Sequence, residues 1–400
     1  MSPNTPSSLA FDPRDPVALT QALVRCPSVT PAEGGALSLL DAVLSAEGFA
    51  VQRPRFSEPD MPEIENLYAR IGSEGPVLVI AGHTDVVPPG DTARWTHEPF
   101  GGEIVDGILY GRGACDMKGG LAAMIAAALR FRREQPDAPG SIVFLVTGDE
   151  EASAINGTVK LLQWARERGE RFDHCLLGEP TNPATMSDMI KIGRRGSLTG
   201  KLTVNGTQGH VGYPHLADNP IRGMVRLLAA LDASPLDAGT EHFDASNLEV
   251  TTLDVGNPAT NVVPAQAKAV FNIRFNDLWT PETLAAEIER RLRDAAGNKV
   301  RYEIAFEPTN AVAFLTKPGP FVTMVTEAVE AVTGKRPALS TTGGTSDARF
   351  IKNYCPVVEY GVVGQTMHQV DERVAIADLL ALERITHRLL TDYFAAAQHT

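Results

Sequence analysis

The sequence has no C-x-x-C pair: its four cysteines, Cys26, Cys115, Cys175 and Cys355, are scattered along 400 residues. That excludes a zinc ribbon, offers no basis for a disulfide framework, and points to a reducing, cytoplasmic setting. A long apolar run is missing too. The longest, Leu121 to Leu129, has nine residues, about half of the ~20 that a bilayer-spanning helix needs. The opening Met1-Ser-Pro-Asn-Thr-Pro-Ser-Ser has neither the basic segment nor the apolar core of a signal peptide and reads as a frayed tail. Positive charge is short: 36 Lys and Arg against 49 Asp and Glu leave a formal net charge of −13. Such a chain has little electrostatic means of holding nucleic acid or an anionic membrane surface, and an anionic substrate would need local arginines. Repeats, low-complexity segments and a phosphate-cradling loop are also lacking.

What remains is an ordinary globular composition, 43% hydrophobic and 21% charged, with length enough for two or three domains. Helical spacing marks 14–25 and 35–48, and strands are expected at 64–71 and 76–81. A Pro/Gly-rich loop, 88–102, lies beside His83. Next come a helix from Leu121, strand 141–147, helix 154–169 and strand 173–178. This alternation predicts an α/β domain with a largely parallel sheet flanked by helices. From about 191 the order changes. Strand 197–205, helix 219–233, strands 247–255 and 266–275, helix 281–295 and strand 300–306 give β-α-β-β-α-β, a ferredoxin-like arrangement. The α/β pattern then resumes with helix 319–333, a Gly-rich turn at 341–347, strand 356–361 and helix 376–396. The expected organisation is one domain built from 1–190 and 311–400, with a second domain, 191–310, inserted into it.

Four segments end in residues that bind metals. They are Val77-Leu-Val-Ile-Ala-Gly-His83-Thr-Asp85, the strand-to-helix crossover Gly111-Arg-Gly-Ala-Cys-Asp-Met-Lys-Gly-Gly120 with Asp116, Ile142-Val-Phe-Leu-Val-Thr-Gly-Asp-Glu150-Glu151, and Cys175-Leu-Leu-Gly-Glu179. His368 makes a late fifth contribution. Two histidines and three carboxylates converging on strand C-termini predict a two-metal site with Asp116 as its bridge. Asp85, two residues after His83, is placed to fix the imidazole tautomer. Glu150 and Glu151 are adjacent and point apart, so Glu151 is assigned as a ligand and Glu150 as the base that moves a proton. Each feature alone has a plainer account. An H-x-D can be a polar pair ending a strand, Asp116 a helix N-cap, Asp149-Glu-Glu an acidic loop before a helix, and Lys118 a solvated or structural charge. His210 can be a loop histidine that would reach the site only by domain closure or from another subunit. Arg194, Arg195, Arg274, Arg349 and Asn261 are candidates for carboxylate recognition, although a single arginine is commonly a surface ion pair.

With these residues on the page, the chain from about 14 to 390 resembles the M20 family of di-zinc amidohydrolases. The family-wide elements are Gly82-His-Thr-Asp-Val-Val-Pro-Pro-Gly90, Gly111-Arg-Gly-Ala-Cys-Asp-Met-Lys-Gly119, Thr147-Gly-Asp-Glu-Glu151 and Gly178-Glu-Pro-Thr181. Closer to members that remove a succinyl group are Glu150-Glu-Ala-Ser-Ala-Ile-Asn-Gly-Thr158, Lys191-Ile-Gly-Arg-Arg-Gly-Ser197, Tyr213-Pro-His-Leu-Ala-Asp-Asn-Pro220 and Thr341-Thr-Gly-Gly-Thr-Ser-Asp-Ala-Arg-Phe350. The resemblance implies two Zn2+ per subunit, one held by His83, Asp116 and Glu179 and the other by Asp116, Glu151 and His368. Cobalt or manganese can occupy such His/carboxylate sites as well. It also implies Glu150 as general base, Asp85 behind His83, and a cis peptide after Asp116. The insertion becomes a lid and dimerisation domain, with His210 lent across a homodimer interface. Arg194, Tyr213, Asn261, Arg274, Gly344, Thr345 and Arg349 match substrate-binding positions. Two departures are Cys115, where Ala or Ser is frequent, and Gly364-Gln-Thr-Met-His368 in place of Asn-Ala-Thr-Ile-His. The implied reaction is hydrolysis of N-succinyl-L,L-2,6-diaminopimelate by a hydroxide between the ions. The rivals are another amidohydrolase of the family, such as an acetylornithine deacetylase, and a non-catalytic binding protein on the same fold.

Overall fold

The computed structural model describes residues 10–396; the expected frayed tail at Met1–Ser8 lies outside the described residues. The chain forms two compact units. One joins the described residues up to Ile192 with Thr316–Ser340 and those from Ser346 onward, and the other joins Gly193–Leu315 with Thr341–Thr345.

The first unit is built on strands that are apolar along their whole length. Val77–His83 and Ser141–Thr147 are buried at every position, as strands must be when helices cover both faces of a sheet. The eight-stranded sheet runs Ala50–Gln52, Leu67–Ile71, Ser141–Thr147, Val77–His83, His174–Leu177, Val357–Glu359, Met189–Lys191, Ala338–Ser340. Its four central strands, from Ser141–Thr147 to Val357–Glu359, are mutually parallel. The sheet as a whole is mixed, because Leu67–Ile71 and Met189–Lys191 join that centre antiparallel. Three-residue strands such as Met189–Lys191 and the edge strand Ala338–Ser340 are too short for period-two alternation to mark them in a sequence.

Val77–His83 pairs with Ser141–Thr147 on one side and His174–Leu177 on the other. The first crossover therefore leaves it to one side and the second returns past it. Such a reversal opens a crevice at the C-terminal ends of the strands. Helix Gly119–Glu134 makes the first crossover, packed against Pro16–Val24 and Ile376–Ala396. Gly120 lets it pass close to the next strand end, since a Cβ there would sit 2.7 Å from the Gly178 carbonyl oxygen.

In the second unit an antiparallel sheet orders Asn247–Asp254, Gln266–Phe275, Gly196–Asn205 and Arg301–Phe306, the strand order of a ferredoxin-like fold. Alternation decides its face: Ala267, Ala269, Phe271, Ile273 and Phe275 all point into the core. Leu227 and Leu231 of Pro220–Asp232, with Leu284, Ile288 and Leu292 of Pro281–Ala296, complete it. Thr280 starts the latter helix with a capping box to Thr283, worth about 1 kcal/mol.

Candidate metal centre

The local sequence around Asp116 gives a tight turn. Gly113 takes the left-handed conformation at φ 83°, the Asp116–Met117 peptide is cis as the resemblance implied, and the following helix begins at Gly119 without a side-chain cap. Asp116 is thus not an N-cap. Its carboxylate, buried with 8% exposure, faces two histidines instead: Oδ1 lies 3.4 Å from His83 Nε2 and Oδ2 lies 3.3 Å from His368 Nε2. His368 Nε2 is also 3.0 Å from Glu151 Oε1. Ligand atoms of His83, Asp116 and Glu179 lie within 4.8 Å of one another, and those of Asp116, Glu151 and His368 do likewise. Two triads sharing one carboxylate, with nitrogen and oxygen donors only, are groups that could hold metal ions.

His83 tests that fit. Its Nδ1 lies 2.9 Å from the main-chain oxygen of Asp85, an atom that can only accept, so Nδ1 carries a proton and Nε2 is the nitrogen turned toward Asp116. Nε2 is buried and makes no hydrogen bond among the described residues, a costly arrangement for a polar atom unless a cation completes it. Burial by itself would lower the His83 pKa, but Asp116, Asp85, Glu179 and Glu150 outweigh burial and push it well up. A buried imidazole in that position sits in a field that attracts positive charge. His368, half exposed, is pushed up to about 10 by Asp116 and Glu151.

The carboxylate of Asp85 does something the sequence did not reveal. It stands 3.7 Å from His83 Nδ1, beyond a hydrogen bond, so the tautomer is set by the Asp85 carbonyl. Its oxygens instead accept from the backbone N–H groups of Glu150 and Glu151 at 3.2 and 3.0 Å, and from Thr30 Oγ1 at 2.6 Å. Asp149 holds the far end of the same loop through Ile155 N and Asn156 N. Glu150 is raised well above the usual carboxyl range, by burial first and by the Glu179 carboxylate second. A carboxyl group so placed can keep a proton at neutral pH and pass it on.

A model of peptidase family M20/M25/M40 matches residues 79–392. The chain belongs to that family. A protein of Methylobacterium nodulans named succinyl-diaminopimelate desuccinylase is 69% identical over 393 residues, covering 98% of this chain and 97% of that protein. One of the same name from Methylorubrum extorquens is 69% identical over 95% of this chain and 99% of its own length. Among solved structures, a Staphylococcus aureus tripeptidase superposes with a TM-score of 0.75 at 20% identity, covering 96% of this chain and 99% of that one. A Bacillus subtilis protein described as a dinuclear metal binding peptidase from the M20 family gives 0.67 at 16% identity, covering 96% and 98%. At such identities the structures speak for the fold alone.

The remaining candidates of this M20 chain fall in both units. Arg349 lies in the first, in the short helix Ala348–Ile351, its guanidinium over the Phe350 ring at 4.4 Å. In the second, Arg194 is buried and donates to the Gly344 carbonyl at 3.0 Å, beside Thr345. Arg274 is half-buried; burial and the neighbouring Arg195 both lower its pKa. His210 and Tyr213 are exposed, their rings 5.6 Å apart, and the Asn261 carbonyl accepts from Val211 N. Lys118 is no solvated charge: it is fully buried, and its Nζ donates to the Cys26 carbonyl at 2.7 Å. Burial brings its pKa down to about 8. Gln365 donates to the Pro183 carbonyl at 2.8 Å. Thr30 and Asp347 were not singled out from the sequence. Asp347 is buried, and its charge acts on Glu150.

Proposed function

We propose that this M20 chain is a metal-dependent amidohydrolase that converts N-succinyl-L,L-2,6-diaminopimelate and water to succinate and L,L-2,6-diaminopimelate, in lysine and diaminopimelate synthesis. The observation that carries the reading is 69% identity along 98% of the chain to a protein named succinyl-diaminopimelate desuccinylase. The two triads that share Asp116 support it. In this reading two zinc ions are held per subunit, one by His83, Asp116 and Glu179 and one by Asp116, Glu151 and His368. When bound, such cations lower the pKa of a water toward ~7 and polarise the amide carbonyl.

The chain's own residues then supply the proton path. Glu150 takes a proton from the attacking water at a side-chain oxygen and delivers it to the amide nitrogen as the C–N bond breaks, leaving succinate and a free amine. Its raised pKa suits both halves of that task. Asp85, through the Glu150 and Glu151 N–H groups, keeps base and ligand in register. Arg194, Arg274 and Arg349 receive the carboxylates of the substrate, aided by Tyr213, Asn261, Gly344 and Thr345. The protein works in the cytoplasm as a homodimer formed through the second unit, and His210 crosses the interface to stabilise the developing oxyanion.

The test is hydrolysis by chelated protein, with zinc restored stepwise, on N-succinyl-L,L-diaminopimelate and N-acetylornithine side by side. Zinc-dependent cleavage of the succinyl compound alone is the expected result. Preference for the acetyl compound would keep the chemistry and overturn the substrate; cleavage of neither would overturn the enzyme reading.

A further inference from the structure

The metal ligands of this chain come from distant parts of the sequence, and His368 follows Asp116 by about 250 residues. Something must hold the two segments in register, and the packing around Glu372 does so. The strand Arg373–Ala375 pairs antiparallel with Ile108–Tyr110, and the Glu372 carbonyl accepts from Gly111 N at 2.8 Å. This lays the segment bearing His368 against the turn bearing Asp116. The Glu372 side chain is completely buried and spends both oxygens on that turn. Oε1 accepts from Cys115 N at 3.2 Å and Asp116 N at 3.1 Å, while Oε2 accepts from Arg112 Nη1 at 2.7 Å. Arg112, only 2% exposed, directs Nη2 at the main-chain oxygen of His368, 3.4 Å away. That histidine needs holding, because its backbone is left-handed at φ 62°, a conformation that costs a residue with a Cβ.

We infer that Glu372 and Arg112 form one clamp that positions the bridging carboxylate of Asp116 and the imidazole of His368 for metal binding. Neither side chain is a metal ligand or touches substrate; both act through the backbone of residues that do. The inference rests on the reading of Asp116 and His368 as ligands. It gives a reason for a buried ion pair beside the centre. Two charges taken out of water seldom stabilise a fold better than apolar groups of the same size, whereas they do fix geometry. Groups that orient ligands in this way typically contribute 10- to 100-fold to metal affinity.

The experiment is a titration of the chelated full-length protein with Co2+, followed by calorimetry and by the visible absorption bands of the bound ion. Parent, Glu372→Gln and Arg112→Lys proteins are compared. Glutamine keeps the shape of Glu372 but places an amide against either the Arg112 guanidinium or the Cys115 and Asp116 N–H groups. The expected result is about 10- to 100-fold weaker cobalt binding, larger for the ion on the His368 side, with altered absorption bands. The far-ultraviolet circular dichroism of the metal-free variant should match the parent. A general loss of stability would lower the melting temperature without changing the bands of the ion that still binds. Arg112→Lys keeps the charge opposite Glu372 and gives up the reach to the His368 carbonyl, so it should weaken the His368 side alone. It also carries the test if Glu372→Gln does not fold. Parental affinity and bands in a folded variant would overturn the clamp. A parent that takes up no cobalt would instead overturn the metal reading, and the clamp with it.

Discussion

Asp85→Asn separates two roles that share one side chain. If the carboxylate served only to orient His83, an isosteric amide beside an unchanged backbone carbonyl would matter little, because Nδ1 is bound by that carbonyl at 2.9 Å. The geometry assigns the carboxylate to the Glu150–Glu151 loop. It accepts from Glu150 N on Oδ1 and from Glu151 N and Thr30 Oγ1 on Oδ2, with 1% exposure. An asparagine offers one accepting oxygen, so whichever way it turns, one backbone N–H meets an NH2 group. Losing a hydrogen bond to a buried charge costs about 1.5–3 kcal/mol, which corresponds to roughly 10- to 100-fold if it falls on the placement of the base and ligand. The assay is kcat at saturating substrate, with metal content measured on the same sample. Thr30→Val is the companion variant: it removes one donor to Oδ2 and touches nothing on His83, so a smaller loss, about 1 kcal/mol or several-fold, is expected. Parental kcat and melting temperature in a fully loaded Asp85→Asn protein would refute the loop-holding role. A silent Thr30→Val beside a crippled Asp85→Asn would leave the Glu150 and Glu151 N–H groups, and not the Thr30 hydroxyl, as the contacts that matter.

Other expectations follow from the same geometry. Glu150→Gln should retain its metal and lose about 100- to 10,000-fold in kcat; metal analysis beside single-turnover rates checks this. Asp116→Ala removes the carboxylate common to both triads and should lose affinity for both ions, read by equilibrium dialysis, whereas Glu179→Ala should spare one. In the chelated protein His368 is held up to about 10 by Asp116 and Glu151. Its contribution to stability is therefore complete below its ordinary value near 6.5 and is lost as pH rises through about 10. The melting temperature of chelated protein should fall over that window more than that of chelated His368→Asn, and equal slopes would contradict the assignment.

Much of the first unit's centre and of the second unit was legible because burial there imposes a period. Gln266–Phe275 alternates strictly between core and solvent, and Val77–His83 is apolar throughout because both faces are covered. Short strands such as Met189–Lys191 escaped, since three residues carry no period and their pairing is fixed by strands far along the chain, Ala338–Ser340 and Val357–Glu359. That the candidate ligands would be neighbours was legible for a related reason. An open α/β sheet presents its strand C-termini to one crevice, so His83, Glu151 and Glu179 at three such ends had to be neighbours.

What could not be read was how each ligand is held. Asp85 looked like a partner of His83 because the two are two residues apart, and sequence spacing reports local neighbours only. Its carboxylate in fact binds backbone N–H groups 65 and 66 residues further on, and backbone groups have no identity in a sequence. Glu372 is the same case over a longer span, an acid with no motif around it whose partners are Cys115 N, Asp116 N and Arg112. The side chains that would bind cations are thus recognisable by type, while those that fix their positions are recognisable only by contact. A family motif can therefore survive intact in a chain whose centre is misaligned, and substitutions at Glu372 or Asp85 are where that failure would first be seen.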